Sequence, residues 1–391
     1  MNGALQGIRV IELASYVTGP FASVLLADLG AEVIKVEQPG QGDPFRGWGE
    51  KLYSATFCSL NRNKRSVTLD FRHDEGREIL VKLIAGSDVL IENFRPGTLD
   101  KRGLGYDSLR ESSPKLVYCS ISGFGHKGPY RDLPGYDTVG QALSGLLSLL
   151  TDPGDPKCMG ISFSDHLTGM YACYGILGAL MHRMMTGQGQ RVETSLLRAS
   201  VSFISENAAR YFETGVVPRR ANRTRTAGVF AFVDREDLPF VIHLSSPEKF
   251  WRGLLEVVGK KEWAEDPRFG SRKDRIENHD LLSELLQEIF RSGKREEWLK
   301  KLKDKDVPCA PLNSLEEVFR DPQVREYGFP VELEHPQKGR LRLVGSGIEL
   351  SRTPPRIDNP PPALGEHTSE ILEALGYDQD SIARLKESKV I

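Results

Sequence analysis

The stretch Ile8-Arg-Val-Ile-Glu-Leu13, followed by Phe21 to Leu29 and then by Ala31-Glu-Val-Ile-Lys-Val36, decides the fold. Two short β-branched runs flank a helical run through brief connections, which is the pattern of a βαβ unit with parallel strands. The alternation continues downstream. Ser66 to Asp70 reads as a strand, Glu75 to Ala85 as a helix, and Asp88 to Ile91 and Leu116 to Ile121 as further buried strands. This predicts an α/β fold with a Rossmann-like, mostly parallel sheet. The first strand-to-helix turn, Ala14 to Pro20, lacks the glycine spacing that lets a pyrophosphate approach, and no Gly-x-Gly-x-x-Gly follows any other strand. A nicotinamide site is therefore not expected on this sheet.

With 391 residues, 39% hydrophobic and 27% charged, the chain is long enough for two or three domains around a large core. Residues 1–213 read as the first part of a large Rossmann-like domain and 214–227, with Arg219, Arg220, Arg223 and Arg225, as a linker. Residues 228–302 read as a smaller α+β domain, in which Val229 to Val233 and Phe240 to Leu244 pair and Pro247 to Val258 is helical. Residues 303–391 return to the large domain, ending in a helix from Ser369 to Leu375. A net charge of −2 gives no overall attraction to nucleic acid or anionic membrane, so any anionic ligand must be held by local Lys and Arg clusters. The five cysteines show no CxxC spacing and the eight histidines no HxxxH pair, so reduced thiols and no metal site are expected. No leader and no run of about 18 apolar residues appears, which predicts a cytoplasmic protein.

Asp165 is the one carboxylate in Gly160-Ile-Ser-Phe-Ser-Asp-His-Leu-Thr-Gly169, where irregular sequence gives way to a helix of small and apolar residues expected to be buried. Unpaired N–H groups and the positive end of the helix dipole should keep this carboxylate ionised. Two readings stand: a dry nucleophile toward a carbonyl, or a helix cap for which Ser162 and Ser164 compete. Two basic clusters, Asn61 to Arg65 and Glu92-Asn-Phe-Arg-Pro-Gly97 with Lys101 and Arg102, fall at strand ends where α/β sheets bind ligands, so either could hold a phosphorylated nucleotide or be a solvated turn.

Several long motifs, in order along nearly the whole chain, resemble the class III coenzyme A transferases, the family of formyl-CoA and carnitine CoA-transferases. They are Leu5-Gln-Gly-Ile-Arg-Val-Ile-Glu-Leu13, Ala27 to Glu37, Asn61 to Ser66, Glu92 to Gly97, Ser122-Gly-Phe-Gly125, Gly187-Gln-Gly-Gln190 and Leu364-Gly-Glu-His-Thr368. The resemblance implies an interlocked homodimer and Asp165 as nucleophile. It implies a mixed anhydride with the donor acyl group, an aspartyl-CoA thioester, and its opening by an acceptor carboxylate through a second anhydride. Acyl-CoA and a small carboxylic acid are then the substrates, with no tightly bound cofactor. It also assigns Lys64, Asn93, Phe94, Arg95 and Lys101 to the nucleotide and pantetheine parts of coenzyme A, and Tyr136 to a position beside the reacting end.

Departures from the family pattern bear on the substrate. Formyl-CoA transferases have a glutamine where this chain has Val17, and a glycine-rich loop that is missing between Gly228 and Trp251, which argues against oxalate as acceptor. Gly42-Asp-Pro-Phe-Arg-Gly-Trp-Gly49 and the Asn61 to Lys64 run are more similar to members that use succinyl-CoA and dicarboxylic acids. The α-methylacyl-CoA racemases of the same fold need a histidine where this chain has Tyr136, and a tyrosine with a pKa near ~10 is a poor proton carrier at neutral pH. A non-catalytic acyl-CoA binder is the remaining alternative.

Overall fold

The computed structural model describes residues 3–49, 52–245 and 248–391, and divides them into two compact units. The larger comprises residues up to 147, then 158–205 and 325–391. In chain order it begins β1 (Arg9–Leu13), α1 (Thr18–Asp28), β2 (Glu32–Glu37), α2 (Ala55–Asn61), β3 (Lys64–Thr68), α3 (Asp74–Ala85), β4 (Val89–Glu92), α4 (Tyr106–Ser112), β5 (Val117–Ser122) and α5 (Asp137–Leu143). After a short helix α6 (Leu146–Leu150), it continues with α7 (Phe163–Thr186), β6 (Arg191–Ser195) and α8 (Leu196–Phe203). The six strands form one sheet in the order β3-β2-β1-β4-β5-β6, with every neighbour parallel. This is the doubly wound order, and the winding reverses between β1 and β4.

Because side chains alternate along a strand, β1 feeds both faces of the sheet. Val10 joins Val33, Val89, Ile91 and Val117 under α1 and α7, whereas Ile11 and Leu13 join Ile34, Val67 and Leu90 under α3. Each such side chain contributes on the order of 1.5–3 kcal/mol on burial. The α1–α7 contact is close enough to require glycine: a Cβ at Gly169 would lie 2.8 Å from the Thr18 carbonyl oxygen and 2.9 Å from Phe21. That approach brings the start of α7 beside the β1–α1 turn.

The smaller unit comprises residues 148–157 and 206–324. It takes up α9 (Ser205–Thr214), α10 (Arg220–Ala227), β7 (Val229–Val233), β8 (Pro239–His243), α11 (Glu248–Val258), α12 (Arg272–Glu277), α13 (His279–Phe290), α14 (Arg295–Asp304), β9 (Cys309–Pro311) and α15 (Leu315–Val318). The antiparallel sheet β7-β8-β9 packs Phe230, Phe232, Phe240 and Ile242 against Trp251, Leu286, Phe290 and Trp298. The sequence bounds 228–302 lie inside this unit, and Pro247, the expected start of α11, lies outside the described residues. After α16 (Pro322–Glu326), the larger unit regains the hairpin β10 (Val331–His335) and β11 (Gly339–Leu343), then α17 (Thr368–Ala374) and α18 (Gln379–Glu387).

Two expectations need correction. The arginine-bearing stretch 214–227 is not a plain linker, since Arg220–Ala227 forms α10. And α7 is not buried all round: Ala172, Ile176, Ala179 and Leu180 face the core, while Met170, Tyr174, Met181, Met184 and Met185 are exposed along its other side. Their spacing of three, four and seven residues makes one outward stripe. Among the described residues no helix is long and apolar enough to cross a membrane, and no group of His, Cys, Asp and Glu could hold a metal.

Candidate active site

The turn after β1 and the loop after β4 meet where the winding of the sheet reverses, the position at which doubly wound sheets bind ligands. Asn93 ties them together. Its Oδ1 accepts the Ser15 N–H at 3.0 Å, and its Nδ2 donates to the Ser15 carbonyl at 2.7 Å and to Thr18 Oγ1 at 3.2 Å. Tyr16, between those contacts, sits at φ 65, a left-handed backbone that costs a non-glycine residue about 1 kcal/mol or more. A buried ion cluster braces the same turn from below. Glu12 pairs with Lys35 at 2.6 Å and Lys64 at 2.8 Å, Lys35 also donates to the Ala14 carbonyl at 2.9 Å, and Lys64 donates to the Pro20 carbonyl at 3.0 Å. Burial pushes the Glu12 carboxyl up, but the two ammonium groups outweigh it and hold it at about 2.

Around this junction lies a cavity of 610 Å³ whose lining includes Tyr16, Phe45, Trp48, Asn93, Phe94, Arg95, Arg131, Tyr136, Asp137 and Asp165. Tyr136 and Asp137 are carried there by a loop that passes close to the end of β5: a Cβ at Gly135 would lie 2.8 Å from the Gly123 Cα. A second cavity of 320 Å³, over the ends of β1, β2 and β3, is lined by Ser15, Gln38, Asp43, Phe71, Arg72, Phe94 and Arg102 among others. Phe94 lines both, and the neighbours Ser15 and Tyr16 each line one, so the two cavities adjoin along the strand ends as the two arms of a crevice.

Asp165 is the third residue of α7. The cap position falls to Ser162, whose side chain makes no capping bond, so Asp165 is not consumed as an N-cap. Among the described residues no donor bonds its carboxylate; only its N–H is engaged, donating to Asp137 Oδ1 at 3.2 Å. Asp137 is in turn held by Gln141, whose Nε2 also donates to the Ile161 carbonyl at 3.2 Å. The expectation that the helix end outweighs burial and keeps Asp165 ionised is corrected here for pH below about 7. Burial first, and the nearby Asp137 carboxylate second, push it up to about 7. His166 is turned away, its Nδ1 2.8 Å from the Ser162 carbonyl and its ring edge-on to Phe21.

Of the residues singled out from sequence, Asp165, Asn93, Phe94, Arg95 and Tyr136 line the larger cavity together. Lys101 is exposed on a short 3-10 turn, Asp100–Arg102, and lines neither cavity; Arg102 lines the smaller one. Lys64 departs furthest from its expected place. Its side chain is fully buried in the ion pair with Glu12 and lines neither cavity. Of the rest of that basic run, Arg62 is buried and paired to Asp28 at 2.6 Å, while Arg65 is only partly buried and pairs with Glu32 at 2.7 Å and with Glu370 at 2.9 Å. Asp137, Gln141 and Arg131 were not singled out. The i, i+4 spacing of Asp137 and Gln141 at a helix start was the signal available for the first two.

A CoA-transferase family III model matches residues 5–368. Succinate–glutarate CoA-transferase of Agrobacterium fabrum is 37% identical over 95% of this chain and 95% of its own length. Human succinyl-CoA:glutarate CoA-transferase is 34% identical over 99% of this chain and 90% of its own. Among solved structures, a CAIB/BAIF family protein from Brucella suis superposes with a TM-score of 0.85 at 36% identity, covering 96% of this chain and 100% of that one.

Proposed function

Because the chain belongs to CoA-transferase family III and transfers coenzyme A between an acyl-CoA and a carboxylic acid, we propose that Asp165 carries the acyl group and then the coenzyme as covalent intermediates. The observation that carries this reading is a half-buried carboxylate, unbonded among the described residues, lining a 610 Å³ cavity that adjoins a second one. Its Oδ attacks the thioester carbonyl of the donor, and the C–S bond breaks to give an aspartyl mixed anhydride and a CoA thiolate. The thiolate attacks the aspartyl carbonyl, expelling the donor as its free carboxylate and leaving an aspartyl-CoA thioester. The acceptor carboxylate attacks that carbonyl to form a second anhydride, and the released thiolate takes the acceptor acyl group, restoring Asp165. An acidity near 7 suits the role. A carboxylate desolvated to that degree is a stronger nucleophile than a solvated one and is still largely ionised above neutrality.

In this reading the smaller cavity, with Arg72 and Arg102, takes the phosphate-bearing end of coenzyme A, and Phe94 flanks the pantetheine on its way to Asp165. The relatives named for succinyl-CoA with glutarate support a C4–C5 dicarboxylic substrate pair. The outward stripe on α7 and the exposed aromatic rim of the crevice, Trp48 and Tyr136, support a homodimer that covers both and keeps water from the anhydride. The test is to incubate the protein with succinyl-CoA and glutarate, follow glutaryl-CoA, and look by mass for a hydroxylamine-sensitive adduct. Asp165→Ala is expected to lose both product and adduct while still binding coenzyme A. A variant that still turns over overturns the mechanism.

A further inference from the structure

Behind the Asn93–Arg95 loop lies a chain of three polar side chains that the transfer chemistry does not use. Glu92, the last residue of β4, is buried, yet it has no salt-bridge partner among the described residues. Its Oε2 accepts the Phe94 N–H at 2.8 Å, so one carboxylate oxygen fixes the backbone of the residue that lines both cavities. Its Oε1 accepts from Ser120 Oγ on β5, and Ser120 Oγ lies 2.7 Å from His126 Nε2. His126 is half-buried and reaches solvent, whereas Glu92 and Ser120 do not. A buried carboxylate is thus connected to water by a two-member hydrogen-bonded relay and to the ligand crevice by one backbone bond.

We propose that Glu92 is a positioning residue whose charge state sets the grip on the Asn93–Arg95 loop and thereby the affinity for coenzyme A, with Ser120 and His126 delivering the proton; this rests on the transferase reading above. The relay balances. A solvent proton adds to His126 Nδ1, the Nε2 proton passes to Ser120 Oγ, and the Ser120 proton passes to Glu92 Oε1. The acid then donates back to Ser120, which donates to Nε2. A charged acceptor holds an N–H about twice as strongly as a neutral one, so the ionised state grips Phe94 more tightly. The groups that face Glu92 are Tyr118 and Cys119 on β5, Asp100 and Arg191; His126 in turn faces Glu193, Arg191 and Arg131. Burial pushes Tyr118 and Cys119 far up, so both stay neutral between pH 6 and 8.5. Burial also pushes Glu92 up, to about 7, against the pull of Ser120 and the Phe94 N–H, and so it titrates in that window.

The experiment measures the Kd of coenzyme A by calorimetry from pH 6 to 8.5 in Asp165→Asn, which removes the titration of the nucleophile, and in Asp165→Asn/Glu92→Gln. Glutamine can accept the Phe94 N–H and donate to Ser120, so it imitates the protonated acid without opening a cavity. The ratio of the two Kd values cancels the titration of the coenzyme's own 3′-phosphate. The glutamine variant is expected to bind about three- to fivefold more weakly at pH 8.5 and equally at pH 6. Adding Ser120→Ala to Asp165→Asn removes one donor to the carboxylate and is expected to move the midpoint of the Kd change to higher pH. A ratio that stays at one across the range, or a midpoint that Ser120→Ala leaves in place, overturns the role of Glu92 alone. Absence of coenzyme A binding in every variant removes the transferase reading and this inference with it.

Discussion

Replacing Asp165 by asparagine should stabilise the protein while abolishing its chemistry, and the size of the gain follows from the site. An aspartate titrates near ~3.9 when unfolded, whereas burial and Asp137 push Asp165 up to about 7 in the fold. The folded state therefore holds this proton more tightly than the unfolded chain. The resulting penalty is absent below pH ~4, grows as pH rises, and is complete above pH ~7. At about 1.36 kcal/mol per tenfold, the gap amounts to roughly 4 kcal/mol as an upper bound. Loss of the favourable contact between a carboxylate and the α7 N-terminus offsets about 0.5–1 kcal/mol of it. Asparagine is nearly isosteric and carries no charge, so Asp165→Asn should be more stable to urea than the parent by up to about 3 kcal/mol at pH 8, and by up to about 1.5 kcal/mol at pH 5. Equilibrium unfolding at the two pH values is the assay. Equal stability of the two proteins at pH 8, or a gain that does not shrink on acidification, would refute the argument that this carboxylate is held in a desolvated, like-charged setting.

Asp137→Asn removes the second cause of that shift, so the acid limb of the kcat profile, expected near pH 7 in the parent, should move to lower pH; a limb that stays put means Asp137 does not act on Asp165. Lys64→Met breaks a fully buried ion pair and removes one of the donors to the Pro20 carbonyl, which should cost about 3–5 kcal/mol in urea unfolding. An unchanged midpoint with a raised KM for acyl-CoA would instead return Lys64 to the ligand surface. Tyr174→Glu with Met181→Glu puts two charges on the outward stripe of α7 and should convert a dimer to monomer by light scattering; a monomeric parent at micromolar concentration contradicts the proposed dimer.

The parallel sheet was legible because β1, β2, β4 and β5 are buried on both faces and rich in Val, Ile and Leu, even though Glu12 and Lys35 interrupt β1 and β2. Asp165 was legible because one carboxylate stands before a long run of small and apolar residues. What the sequence hid follows from the same physics. A basic run reads as a ligand loop until the fold shows where its counter-charges are, and the acids that claim Arg62, Lys64 and Arg65 come from Asp28, Glu12 and Glu32, more than 30 residues away in each case. Helix α10 carries almost no apolar periodicity, and α18 buries only Ile382 and Leu385, so neither announces itself. The apolar composition of α7 was read as burial because composition alone does not separate a core face from an exposed stripe. Asp137 was passed over as part of a glycine-rich loop, since its link to Asp165 spans 28 residues of sequence.

The covalent role of Asp165 is tested most directly by isotope transfer. During turnover of succinyl-CoA with glutarate carrying ¹⁸O in its carboxylates, the acceptor oxygen that enters the second anhydride is left on the aspartyl side when CoA takes the acyl group. The peptide containing Asp165 should therefore gain about 2 Da in a single turnover, and up to about 4 Da over many as both carboxylate oxygens exchange, since the bridging oxygen stays with the aspartate when that anhydride opens. Formation of glutaryl-CoA at an undiminished rate with no label in that peptide would contradict the account.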